Sequence, residues 1–138
     1  MVPPGSPITK LEEVDRPGNR IAVTARAAYD LWLERNIHQA KLIRSATLDA
    51  AFEQFAAEKL EVLAGLRPKL LSDIEKMPGA RILDGQFTAV QQAIGTAKRN
   101  TAATAFLVDF VEKAKASGLV ARFVTEHKVL GLSVAPAA

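Results

Sequence analysis

The stretch from Gly18 to Tyr29, Gly-Asn-Arg-Ile-Ala-Val-Thr-Ala-Arg-Ala-Ala-Tyr, constrains the fold more than any other. Pro17-Gly18 is a turn signal. Arg20–Thr24 follows as a short apolar run with two β-branched residues inside it, which predicts a strand. Tyr29-Asp30-Leu31-Trp32-Leu33 then opens a helical pattern that runs to about Asn36. A strand passing through a short loop into a helix is the first half of a βαβ unit. In such sheets ligands bind where strands end and helices begin. Thr24, Arg26, Ala27, Ala28 and Tyr29 are therefore the first candidates for a ligand site.

The alternation continues along the chain. Met1–Gly18 holds four of the seven prolines and reads as an extended lead-in, with a helical turn expected at Leu11–Asp15. After the first helix, about Ala27–Asn36, a second strand is expected at Ala40–Arg44. Thr47 is placed to cap a second helix, Leu48–Lys59, whose Leu48, Ala51, Phe52, Phe55 and Ala56 share one face. Glu61–Leu66 is nearly all apolar, as a strand covered on both sides should be. Pro68 suits the first turn of a third helix to Met77, because its missing N–H has no helical partner there anyway. Arg81–Leu83 is expected as a fourth parallel strand, and Thr88–Ile94 as a fifth running against the others, since Asp84–Gln86 is too short for a helical crossover. Two helices close the chain, at Thr101–Ala116 and Leu119–His127. The first has an apolar stripe of Ala103, Phe106, Leu107, Phe110, Val111 and Ala114. The reading is an α/β fold: a mostly parallel sheet flanked by helices, with a C-terminal helical extension. The expected division is residues 1–98 and 99–138.

Composition removes several functions. At 138 residues the chain has material for one modest core. Lys and Arg exceed Asp and Glu by only three charges and are interleaved with them, with no basic run and few aromatic residues, so nucleic acid is not an expected partner. No apolar run nears the roughly 20 residues that span a membrane. There is no cysteine, hence no disulfide, thiolate metal site or cysteine nucleophile. Met1–Gly5 lacks the basic start and apolar core of a signal peptide.

Catalytic chemistry finds little support. His38 and His127 are the two imidazoles, far apart in the chain, and His127 falls on the apolar stripe of the last helix. No Gly-x-Ser-x-Gly, Walker A, Gly-x-Gly-x-x-Gly or His-Glu-x-x-His pattern occurs. No enzyme activity, metal or cofactor is expected. Anion binding fares better. Arg26 follows the first strand and Arg67 the third, and in a parallel sheet both loops open on one edge beside helix starts. The alternative is that both guanidinium groups are simply solvated at loop tips.

The runs Gly18–Val23, Ala28–Leu31, Leu63–Pro68, Gln91–Gly95 and Ala114–Gly118, in this order and spacing, resemble the family 3 extracellular solute-binding proteins of ABC importers. The resemblance covers about Ser6 to Ala135. It implies one lobe of a type II periplasmic-binding-protein fold, the second, followed by the C-terminal segment that returns to the first. It also implies a small solute such as an amino acid or organic acid, a permease partner and a periplasmic location; with Met1 as native start the location would be cytoplasmic. The family has a small Gly-Ser or Gly-Thr pair where this chain has Arg26 and Ala27, so a hydroxyl is exchanged for a guanidinium. Where the family often carries an aspartate after the third strand, Leu66 and Arg67 stand here. Two further readings stay open: a lobe that serves only structure or oligomerisation, and an enzyme, since relatives with dehydratase activity share the fold, although no convergent acid–base pair can be named for it. A homodimer formed through residues 101–138 is expected besides, because the apolar faces of the last helices lack the lobe they would cover.

Overall fold

The computed structural model describes residues Met1–Ala138 and divides the chain into two units, Met1–Val90 and Gln91–Ala138. The first unit is built on three parallel strands, β1 (Arg20–Thr24), β2 (Lys41–Ser45) and β3 (Val62–Leu63), in the order β2-β1-β3. Helices α1 (Ala28–Asn36) and α2 (Leu48–Ala57) make the two crossovers, and α3 (Arg67–Ile74) follows β3. The fold class expected from the alternation is the one observed.

Period-two alternation along β1 sorts the core into two layers. Ile21 and Val23 face α1 and pack with Tyr29, Leu33, Val62 and Ala64. Ala22 points the other way, among Ala51 and Phe55 of α2, Leu63, and Leu70 of α3. The central strand is covered on both sides, so all three of these side chains are fully buried. Thr47 caps α2 as its sequence position required, its Oγ1 accepting the Ala50 N–H at 3.1 Å. Asp15 supports the sheet from the other end: its carboxylate accepts the backbone N–H groups of His38, Gln39 and Ala40 at 3.0, 2.8 and 2.9 Å, fixing the entry to β2.

Two expected strands are absent. Arg81–Leu83 does not join the parallel sheet: Arg81 makes a single antiparallel bridge, to Val2. The space it would have filled beside β3 is taken by the start of the chain, since the Leu63 N–H donates to the Met1 carbonyl at 2.8 Å while Val2 and Arg81 exchange both backbone bonds. Thr88–Ile94 forms no strand in either direction. Its Gln91-Gln92 centre gives it no continuous apolar face, and Ile94 is exposed. A strand without a ladder partner or a buried face has nothing to hold it. Pairing at β3 is also shorter than the apolar run Glu61–Leu66, because the chain leaves the ladder at Ala64 and Gly65 to start α3.

The second unit contains α4 (Thr101–Ala116) and α5 (Leu119–Glu126), joined by Gly118 at φ 75°. The Asn100 side chain caps α4 by accepting the Ala103 N–H at 3.2 Å. The apolar stripe of α4 splits: Ala103, Leu107, Val111 and Ala114 are half-buried, whereas Phe106 and Phe110 are exposed and stack on each other, ring centres 6.1 Å apart. Neither helix has a buried residue. No helix of the chain is long and apolar enough to cross a membrane.

Candidate functional site

The carboxyl ends of β1 and β3 and the starts of α2 and α3 border a shallow recess with room for about one water molecule. Thr24 comes from the last position of β1 and Tyr29 from the first turn of α1. Leu48 and Ala51 come from α2. Leu63, Ala64 and Gly65 come from β3 and its exit, and Lys69, Leu70 and Asp73 from α3. Gly65 keeps the Leu70 side chain close: a Cβ there would stand 3.3 Å from its Cδ2.

Two polar atoms in this lining stand out. Thr24 Oγ1 and Tyr29 OH are the buried side-chain polar atoms without a hydrogen-bond partner. Tyr29 itself is only 3% exposed. Leaving a buried donor or acceptor unmatched costs about 1–3 kcal/mol, and most buried polar groups avoid it. Two such hydroxyls in one recess, at the sheet edge where parallel folds bind ligands, mark it as the candidate site.

The charged groups of the recess are already matched to each other. Lys69 Nζ bonds Asp49 Oδ1 at 2.8 Å and also Asp73 Oδ1, on which Lys76 Nζ closes from 3.3 Å. Burial pulls the Lys69 pKa down, but the bonds to Asp49 and Asp73 outweigh it, and the ammonium is held above its ordinary value. The bond from Lys69 holds the Asp49 carboxyl below its ordinary range. The Phe52 ring lies beneath both lysines, 5.9 and 5.4 Å from their nitrogens.

The loop above the recess is preset by Asp30, which is 2% exposed. Its Oδ2 accepts the Arg26 N–H and its Oδ1 the Arg44 Nε–H, each at 2.9 Å, while Arg44 also reaches Glu34. Arg26 is thereby kept at φ 63°, a left-handed conformation that L side chains rarely adopt. The structural reason for a glycine at such a position is plain, and this chain does without one.

Of the six residues expected at a site, Thr24 and Tyr29 line the recess and Arg26, Ala27, Ala28 and Arg67 do not. Both arginines are exposed. Arg67 spends its guanidinium on the Gly85 carbonyl at 2.7 Å, tying α3 to the turn after Leu83. Ala27 is the residue before α1 and packs against the core, and Ala28 is exposed. Lys69 and Asp73 were missed. Their four-residue spacing was visible, but on a helix it reads as a solvated pair, and only the burial of Asp73 makes it part of the recess. No group of three or more His, Asp or Glu side chains is arranged to hold a metal ion.

Comparison with models of known families, with curated proteins and with solved structures gives no match.

Proposed function

We propose that this chain is a lobe of a solute-binding protein of an ABC-type importer, holding a small polar solute at the carboxyl edge of its parallel sheet. The observation that carries the binding reading is the pair of buried, unpartnered hydroxyls, Thr24 Oγ1 and Tyr29 OH, lining one recess. A solute that meets them recovers the hydrogen bonds the fold leaves unmade. The transporter, its permease and a periplasmic setting rest on the resemblance in residues 6–135 alone. Calorimetric titration of the full chain with small polar and carboxylate solutes tests the binding reading. A saturable response that weakens in both Thr24→Val and Tyr29→Phe supports it. Binding unaffected by either change, or no binding across the panel, removes it.

A second reading, self-association through Thr101–Ala138, is favoured by the exposure of Phe106 (66%), Val108, Phe110 and Phe123. Fully burying an exposed side chain of this kind is worth about 1.5–3 kcal/mol, and since these four are about half exposed, covering them represents a gain on the order of 3–6 kcal/mol. Light scattering after size exclusion distinguishes a dimer from a monomer, and Phe106→Ser with Phe110→Ser should dissociate the dimer.

A further inference from the structure

We infer that the second unit, Gln91–Ala138, docks on an anionic lipid surface, with exposed apolar side chains at the acyl boundary and Lys98, Arg99 and Lys128 at the head groups. This docking is independent of solute binding, and it gives the exposed face of α4 and α5 an occupant other than a second copy. Charge decides between the two. Gln91–Ala138 holds six Lys and Arg against three Asp and Glu, so the chain's whole excess of three positive charges lies there, and Met1–Val90 is balanced. Each of the three acidic side chains is already paired on its own helix: Asp109 with Lys113, Glu112 with Lys115 and Glu126 with Arg122. Lys98 and Arg99, just before α4, and Lys128, just after α5, are exposed and have no carboxylate partner.

The apolar surface is divided as unevenly as the charge. Seven of the chain's nine exposed large apolar side chains belong to this unit. Phe106 and Phe110 form the stacked pair on α4, Phe123 stands on α5, and Leu130 and Leu132 follow directly after Lys128 and Val129. The unit thus offers apolar area and bare cations together, and no free acidic side chain. An anionic lipid surface meets both, since the acyl boundary takes the apolar groups and the head groups attract the cations. A second copy docked through the same face would cover the apolar part but set like charges against each other. Neither helix is long and apolar enough to cross a membrane, so the unit would lie in the interface.

The full chain is sedimented with vesicles of phosphatidylcholine alone, and of phosphatidylcholine with about one third phosphatidylserine, at low salt and at about 0.5 M salt. The expected result is binding to the anionic vesicles that weakens in high salt, and little binding to the neutral ones. Lys98→Gln, Arg99→Gln and Lys128→Asn should each weaken it about fivefold. Asparagine is chosen for the last because Lys128 has φ 52°, which asparagine tolerates. Phe106→Ser with Phe110→Ser should release the protein from the vesicles. If that pair disturbs α4, the three charge variants, which lie outside both helices, still give the answer. Absence of binding to anionic vesicles overturns the inference, as does equal binding to both kinds or anionic binding that neither set of variants weakens. A dimer in light scattering that ignores vesicles and dissociates in Phe106→Ser with Phe110→Ser also overturns it and assigns the face to a second copy.

Discussion

Replacing Thr24 by Val should make the protein more stable and less able to bind. Valine keeps the β-branched shape that suits the end of β1, so the lining of the recess keeps its shape. What disappears is a hydroxyl oxygen that is buried with no partner. Burying such a group unmatched costs about 1–3 kcal/mol, and the substitution removes that cost. For the unit Met1–Val90, each 1 kcal/mol corresponds to about 4–8 °C in melting temperature. Thermal unfolding followed by circular dichroism, without added solute, should therefore show a rise of at least about 4 °C. A variant that melts lower than the parent would refute the reasoning, because it would mean that the hydroxyl makes a native hydrogen bond. A stabilised variant that binds as before would place the site elsewhere. The coupling of the two effects is what separates a binding group from an ordinary surface threonine, since sites that bind are commonly held at a cost to stability.

Other consequences can be checked in parallel. Asp30→Asn removes a charge that holds both Arg26 and Arg44, and should lower stability by about 1.5–3 kcal/mol in urea unfolding; an unchanged midpoint would show that the loop holds itself. Thr47→Ala removes the cap of α2 and should cost about 1 kcal/mol. Arg26→Gly relieves the left-handed backbone and should leave stability level or slightly higher, whereas Arg26→Val should lower it by about 1–2 kcal/mol. The backbone N–H groups of Ala40, His38 and Gln39 hold the Asp15 carboxyl below its ordinary range. Its folded pKa is thus depressed, so its contribution is complete above the unfolded carboxylate pKa and is lost as pH falls below about 4. Unfolding midpoints measured across acid pH should fall less steeply in Asp15→Asn than in the parent.

The readable parts of the fold were those dictated locally. β1 is bounded by Pro17-Gly18 and the Thr24–Ala27 loop, and α4 by Asn100 and Gly118, so period and caps agree and the boundaries follow. Arg81–Leu83 was misjudged because its fate depends on Met1 and Val2, distant in sequence, which occupy the place beside β3. Thr88–Ile94 has a strand's composition at Val90 and Ile94 but no partner, and pairing is not encoded in the segment itself. Topology places Thr24 and Tyr29 at the recess, because strand-to-helix loops in parallel sheets all open on that edge. Arg26 and Arg67 share that edge, yet a side chain's direction follows from backbone dihedrals and nearby acceptors. The left-handed φ of Arg26 and the Gly85 carbonyl facing Arg67 have no signature in the residues alone. The Asp49–Lys69–Asp73 cluster joins two helices, and only their packing brings it together.

The most direct measurement is a crystal structure of the full chain grown with the tightest-binding solute from the calorimetric panel. The binding reading predicts solute density in the recess between the ends of β1 and β3 and the start of α3. Its polar atoms should lie within hydrogen-bond distance of Thr24 Oγ1 and Tyr29 OH. Solute bound at any other surface, with both hydroxyls untouched by it, would contradict the reading.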